Sequence, residues 1–246
     1  KERLVDFCVV GEGEVTAYEL VECLMGKNKK PLDQIPGIVY RQNDSGELVV
    51  TKKRLPVTNL DEVSYPDYSL IDMDYYSNAS PYAIRGVFTR SMYLSATRGC
   101  PSQCSFCVAK KLRQFIGTGR VRSAEGLINE LKLLKTKYTI DSFYFVDDLF
   151  TINKKNVDEF CRRLRAERLG LIWACTWKVS TLNEDILKTM SRAGCVQIDF
   201  GVERGSDEAL NLVHKGQTVE MVKNIFSLCH KYGIRTFANM LVKLPQ

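Results

Sequence analysis

Three cysteines stand close together in the middle of the chain. Residues 97–107 read TRGCPSQCSFC, which places thiols at Cys100, Cys104 and Cys107. Thiolates are soft ligands that suit iron–sulfur clusters and zinc. Spacings of three and two intervening residues allow one loop to surround a compact object that contains several metal ions. The spacing therefore predicts metal binding and leaves the kind of metal open.

The surroundings of these cysteines favour an iron–sulfur cluster. A single zinc ion usually takes four ligands from two separated pairs, and the two histidines of the chain, His214 and His230, are more than a hundred residues away. Three thiolates on a four-iron cluster leave one iron open to a further ligand. A zinc site completed by a distant cysteine and a set of free buried thiols stay open as alternatives.

The other six cysteines lie in apolar strand or helix patterns, which are typical of small core residues. They are Cys8, Cys23, Cys161, Cys175, Cys195 and Cys229. The total of nine is odd, and the first residues carry no signal peptide, so the pattern does not indicate a disulfide framework. We therefore expect a cytoplasmic protein.

The elements that must position the cysteine loop are those of an α/β protein. From residue 92 onward, strand patterns alternate with amphipathic helices across short connections, which predicts a parallel sheet. The predicted strands are 92–96, 143–146, 171–177, 196–200 and 235–242. The loop follows the first strand, and ligands bind at the carboxyl ends of parallel strands. We predict a partial (βα)6 TIM-like barrel with five βα units over residues 92–246, incomplete at its C-terminus.

The helices of this series carry apolar residues at helical spacing, which we expect to be buried. The helix capped by Ser123 has Leu127, Ile128, Leu131 and Leu134, and the next helix has Val157, Phe160, Cys161 and Leu164. A short helix capped by Ser206 and a longer one over 218–232 follow the fourth strand.

The first ninety residues have a different pattern. A strand over 5–10 leads to a helix with Val15, Tyr18, Val21 and Leu24 on one apolar face, and two strands, 37–41 and 48–51, flank a turn at 43–46. Residues 61–91 are rich in Asp, Tyr, Ser and Pro without a sustained period, which predicts a linker. We expect the sequence to be a fragment at both ends, because a parallel barrel should not stop after its fifth strand.

Charge and hydropathy exclude several classes of protein. The net charge of +6 comes from basic clusters that are spread along the chain without interleaved aromatic residues. Such clusters are typical of solvated helix faces, so a nucleic-acid partner is not indicated. No apolar run approaches the roughly 20 residues that a membrane-spanning helix needs.

The cysteine loop resembles the signature of the radical S-adenosylmethionine (SAM) superfamily, CxxxCxxC with an aromatic residue before the last cysteine. Cys100, Cys104, Phe106 and Cys107 match it fully. The flanks resemble the cobalamin (vitamin B12)-dependent branch, which includes methyltransferases and the anaerobic magnesium-protoporphyrin ester cyclase. The segments VGEGE at 10–14, PGI at 36–38 and YPDYS at 65–69 carry this likeness. It implies that residues 1–60 are the last βα unit of a Rossmann-like cobalamin-binding domain.

The resemblance implies a radical SAM enzyme with a [4Fe–4S] cluster on the three cysteines, SAM on the open iron, a small-molecule substrate and an electron donor such as flavodoxin or ferredoxin. Its cofactor-binding residues would include Phe106, Asp147 and Asp148 toward the SAM ammonium, Lys178 toward a carboxylate, and Glu203 toward the ribose. The residues alone leave other interpretations open: an acidic pair at a helix start for the two aspartates, a surface glutamate near a turn, and a structural lysine.

The sequence departs from the family pattern in four places. Arg204 stands where Ser or Thr is usual, Lys178 replaces a more typical Arg, and Lys243 stands where Gly is expected. The Asp-x-His-x-x-Gly cobalamin motif does not occur, so cobalamin is an inference about the parent protein. A methylthiotransferase acting on tRNA or protein, and a non-catalytic zinc or iron–sulfur module, are the alternatives.

Overall fold

Residues 4–42, 45–150 and 154–242 are described by a computed structural model of the chain. Contacts divide the chain into two units, Lys1–Thr58 with Leu112–Gly117, and Asn59–Lys111 with Thr118–Gln246. The tip of the predicted turn at 43–46, Thr151 and Lys243 lie outside the described residues.

The first unit contains a small antiparallel sheet and one helix from residues 1–58, together with residues 112–117, which include the end of a further helix. Its elements are β1 (Phe7–Val9), α1 (Glu14–Leu24), β2 (Ile38–Arg41) and β3 (Leu48–Val50). The strands pair in the order β1-β2-β3, and Leu20, Ile35 and Ile38 form a small core beneath them. The hairpin of β2 and β3 that the sequence predicts is therefore present.

The apolar face predicted for α1 is exposed in the structure. Tyr18 and Leu24 are 64% and 56% exposed, whereas Thr16 and Leu20 are buried. The physical reason is a polar anchor, because the Thr16 hydroxyl donates to the carbonyl oxygen of Pro36 (3.1 Å) and accepts from Arg54 Nε (2.6 Å). These hydrogen bonds turn the Thr16 side of the helix inward.

The second unit is built on a five-stranded parallel sheet in the order β10-β9-β8-β7-β4. Numbered in chain order, the elements of residues 59–242 are α2 (Met73–Tyr76), β4 (Ser91–Leu94), β5 (Thr97–Arg98), α3 (Ala109–Ile116), β6 (Arg120–Val121), α4 (Ala124–Tyr138), β7 (Ser142–Phe145), α5 (Lys154–Glu167), β8 (Ile172–Trp177), α6 (Glu184–Arg192), β9 (Cys195–Glu203), α7 (Asp207–Leu212), α8 (Val219–Lys231) and β10 (Arg235–Met240). The five predicted strands are confirmed, whereas α3 and the antiparallel pair β5–β6 were not predicted.

One face of this sheet carries the apolar core. Phe143, Phe145, Phe160 and Trp173 are fully buried there, and the rings of Phe143 and Trp173 stack with centroids 5.9 Å apart. All eight predicted helix positions from Leu127 to Leu164 are buried in the same core. The segment 61–91, predicted to be a linker, contributes Tyr68 and Met73 to it.

Alternation along β9 decides which side chains face the other side of the sheet. Ile198, Phe200 and Val202 belong to the core. Because successive side chains of a strand point to opposite faces, Gln197, Asp199, Gly201 and Glu203 lie on the side away from the core. This polar face is the one that positions the candidate site. Within the described ranges, no helix combines the length and apolarity needed to cross a membrane.

Candidate cofactor site

A cavity of about 250 Å³ lies where the parallel strands end. Its wall includes all eight residues that the sequence singled out: Cys100, Cys104, Phe106, Cys107, Asp147, Asp148, Lys178 and Glu203. They come from four places along the chain, which are the cysteine loop and the carboxyl ends of β7, β8 and β9. Parallel strands bring these ends to one edge of the sheet, which explains why distant residues meet here.

The cysteine loop forms one wall of the cavity. Cys104 is buried, Cys100 and Cys107 are half-buried, and none of the three is in a disulfide. The loop has no regular structure between β5 and α3. It rests instead on the end of α7, because the backbone N–H of Ser105 donates to the carbonyl oxygen of Val213 (3.1 Å).

The arrangement of thiols fits a cluster of several irons. Among the described residues, no three His, Cys, Asp or Glu side chains converge closely enough to share one metal ion. A four-iron cluster does not need such convergence, because each thiolate binds its own iron. Three soft donors that line one cavity are therefore a donor set suited to an iron–sulfur cluster.

Asp147 fixes the start of the cysteine loop. Its carboxylate accepts hydrogen bonds from the Ser95 hydroxyl (3.0 Å) and from the backbone N–H groups of Ala96 (2.9 Å) and Thr97 (2.7 Å). Burial raises the pKa of Asp147, and the backbone hydrogen bonds oppose that shift in part. The neighbouring Asp148 is exposed and also lines the cavity. The two aspartates therefore have different surroundings, and Asp148 has the freer carboxylate toward a ligand.

Another part of the cavity wall contains a buried ion pair. Glu203 Oε1 lies 2.8 Å from Lys215 Nζ, and both side chains are about nine-tenths buried. Glu203 has a φ of 68°, a left-handed conformation that is uncommon for a residue with a side chain. Lys215 Nζ also lies 5.8 Å from the centre of the Phe106 ring. The ion pair thus holds Glu203 in a strained conformation beside the cysteine loop.

Gly201 leaves room for this ion pair. A Cβ atom at position 201 would clash with Glu203 Oε1 and would lie 2.8 Å from Lys215 Nζ. The amide of Gln217 donates to the carbonyl oxygens of Gly201 (3.2 Å) and Val202 (3.1 Å). The end of β9 is therefore fixed by side chains of the segment that follows α7.

Lys178 extends from the end of β8 toward the cysteine loop. Its Nζ lies 3.4 Å from the Ser102 hydroxyl oxygen. A cation at this place can hold an anionic group of a ligand in the cavity.

Sequence reasoning missed Lys215, Gln217 and Asp199, although Lys215 and Asp199 line the same cavity. No local signal marks them, since a single charged residue after a helix or within a strand is common. Their importance follows from burial and from partners that only the fold brings near.

A parallel α/β sheet with three thiols at the carboxyl ends of its strands defines a class of cluster-binding proteins. Residues 94–245 match the model of the radical SAM superfamily, so the chain belongs to this superfamily. Its members use a [4Fe–4S] cluster and SAM.

Curated relatives carry names of two related activities. The chain is 32% identical over 242 residues to an uncharacterised methyltransferase of Pyrococcus horikoshii, covering 98% of the chain and 50% of that protein. It is 28% identical over 243 residues to the anaerobic magnesium-protoporphyrin IX monomethyl ester cyclase of Rubrivivax gelatinosus, covering 98% of the chain and 42% of that protein. The chain thus spans half or less of the length of these relatives.

Among solved structures, the cobalamin-dependent SAM radical enzyme OxsB with aqua-cobalamin bound is similar in fold. Its TM-score is 0.76 at 21% identity, and the match covers 96% of this chain and 33% of that one. The likeness supports the fold of both units.

Proposed function

We propose that the parent protein is a radical SAM enzyme that cleaves SAM reductively for cobalamin-dependent methylation, or for a radical rearrangement or cyclisation, of a small organic substrate. The observation that carries the proposal is one cavity with three thiols on one wall and Glu203, Lys178 and Asp148 on the others. The names of the relatives, a methyltransferase and a cyclase, support methylation and cyclisation respectively.

Each residue has a distinct part in this proposal. Cys100, Cys104 and Cys107 would hold a [4Fe–4S] cluster as thiolate ligands, and the cluster would have one iron without a protein ligand, available to SAM. When bound and reduced, the cluster supplies the electron that breaks a carbon–sulfur bond of SAM.

The polar residues of the cavity then hold the rest of SAM. Asp148 would bind its ammonium, with Asp147 fixing the start of the cysteine loop, and Lys178 would bind its carboxylate. Glu203 would accept hydrogen bonds from the ribose, and Phe106 would pack beside the cluster.

The remaining parts of the proposal concern the parent protein. We propose a partial (βα)6 barrel for residues 92–246, with residues 1–60 as the last βα unit of a Rossmann-like cobalamin-binding domain; the likeness to OxsB supports this assignment. Cobalamin would bind in the parent protein. Reduction would require an electron donor such as flavodoxin or ferredoxin, in the cytoplasm, where thiols stay reduced.

The test is electron paramagnetic resonance of the anaerobically reconstituted, reduced protein with and without SAM. We expect a [4Fe–4S]⁺ signal that changes when SAM is added. The signal should be lost in Cys104→Ala and kept in Cys8→Ala, a matched control because Cys8 is exposed and does not line the cavity. Stoichiometric zinc, or a cluster signal that ignores SAM, would contradict the proposal.

A further inference from the structure

The cavity extends along β9 beyond the residues proposed to hold SAM. Asp199 lines it as well, although the residue is only 4% exposed. Asp199 precedes Glu203 by four residues, which in a strand corresponds to about 13 Å. A buried carboxylate therefore lies deep in the cavity, on the side away from the carboxyl end of the strand.

Arg85 and Gln197 donate hydrogen bonds to this carboxylate. Arg85 Nη2 lies 2.9 Å from Oδ2, and Gln197 Nε2 lies 2.9 Å from Oδ1. Burial, together with the nearby Asp199 carboxylate, raises the pKa of the Tyr144 hydroxyl. A carboxylate group has about four acceptor positions, so the hydrogen bonds from Arg85 and Gln197 leave acceptor positions on Asp199 for a ligand.

Arg85 is itself held in place by the sheet. Its backbone N–H donates to Gln197 Oε1 (2.9 Å), and its carbonyl oxygen accepts from Arg235 Nη1 (2.7 Å). Its guanidinium lies over the Phe237 ring, 4.5 Å from the centroid. The counter-ion of Asp199 therefore has a defined place beside the carboxylate.

We propose that Asp199 is a substrate-recognition residue, which accepts a hydrogen bond from an amine or hydroxyl group of a polar substrate. Gln197 acts through Asp199 and is a positioning residue, whereas Arg85 is the counter-ion that competes with a ligand for the carboxylate. The proposal rests on the proposed function only in calling the ligand a substrate. A hydrocarbon at this place would leave the open acceptor position of a buried carboxylate without a partner, which is unfavourable.

The competing explanation is that this network only anchors the segment around Arg85 to the sheet. The two explanations predict opposite changes in ligand affinity for one variant. Arg85→Gln removes the cation that competes for Asp199, so a cationic ligand should bind as well or more tightly. If the network is only structural, Arg85→Gln and Asp199→Asn should impair binding equally.

The experiment measures dissociation constants by saturation-transfer NMR on the reconstituted protein with SAM. The probes are benzylamine, benzyl alcohol and benzoate, which share a ring and differ in charge and donor. We expect benzylamine and benzyl alcohol to bind and benzoate not to bind. Asp199→Asn should raise the dissociation constant of benzylamine about tenfold, equivalent to about 1.4 kcal/mol. Arg85→Gln should not raise this dissociation constant.

Three results would overturn the proposal: benzylamine does not bind, benzoate binds as tightly, or Arg85→Gln loses as much affinity as Asp199→Asn. If Asp199→Asn does not fold, Arg85→Gln still decides the question through the sign of its effect. The probes bind without turnover, so failure here is distinguishable from failure of the proposed function, which the response of the cluster signal to SAM reports.

Discussion

The two walls of the cavity differ in how they are held. The thiol wall, residues 100–107, is an irregular loop supported by Asp147 at its start and by the end of α7 in its middle. The strand-end wall, formed by Gly201, Glu203 and Lys215, lies on and beside a sheet strand and contains a buried ion pair. The thiols thus lie on the wall with less regular structure of its own, and a polar wall with a buried ion pair lies beside them.

This difference suggests where each wall is vulnerable. The thiol wall depends on hydrogen bonds that neighbouring residues supply to its ends. The strand-end wall depends on two buried charges that compensate each other. If one of them is removed, the other stays buried without a partner, and this costs a large free energy.

The largest effect is expected when the ion pair is broken from one side. Lys215→Met leaves Glu203 buried without its partner, which should lower the free energy of unfolding by about 3–5 kcal/mol. SAM binding should weaken as well, because Glu203 loses the contact that holds its conformation. Urea unfolding and equilibrium dialysis with SAM measure the two effects.

The matched control for that variant is the double change Glu203→Gln with Lys215→Met. It removes both charges, so it should recover more than half of the lost stability without recovering SAM binding. A loss below about 1 kcal/mol in the single variant, the range of an exposed ion pair, would contradict the buried ion pair.

A smaller effect is expected when the thiol wall loses its support. Asp147→Ala leaves the buried backbone N–H groups of Ala96 and Thr97 without an acceptor, which should cost about 2–3 kcal/mol. We expect iron to dissociate faster from the reconstituted protein, measured with a chelator. Asp147→Asn keeps one oxygen acceptor and should retain most of the stability; equal losses in the two variants would refute this account.

Asp147 also predicts a pH dependence. Burial raises the pKa of Asp147 above its ordinary value of 3.8. At pH values between 3.8 and the raised pKa, Asp147 is therefore protonated in the folded protein and ionised in the unfolded chain. Stability should therefore fall as pH rises through this window, by at most about 1.4 kcal/mol per pH unit. Urea unfolding from about pH 4 to 7 should show that the stability of the wild type relative to Asp147→Asn falls as pH rises. A wild type that gains stability over the variant with rising pH would contradict the prediction.

The smallest effect is expected at a site that belongs to neither wall. The Ser123 hydroxyl accepts from the N–H of Gly126 (2.9 Å) and caps α4. Ser123→Ala should cost about 1 kcal/mol in thermal or urea unfolding and leave SAM binding unchanged. Weaker SAM binding in this variant would show that the effects at the two walls are not specific to them.

Local patterns predicted most of the second unit. The alternation of strands and helices, and the helical spacing of residues such as Leu131 and Phe160, are properties of short segments, so they predict elements and buried faces without knowledge of the fold. In α1, by contrast, the apolar side with Tyr18 and Leu24 is exposed. Hydrogen bonds of Thr16 to residues far along the chain decide that face, and no periodicity reports them.

The sequence by itself determined the three thiols, their spacing and their place after the first strand of a parallel series, because ligand type and spacing are local. Only the tertiary structure decided that Lys215 pairs with Glu203 and that Arg85, 114 residues earlier in the chain, pairs with Asp199. A charged residue is exposed by default, and its burial depends on a partner that the fold supplies. For this reason the cluster ligands could be read from one segment, whereas the polar walls around them required the whole sheet.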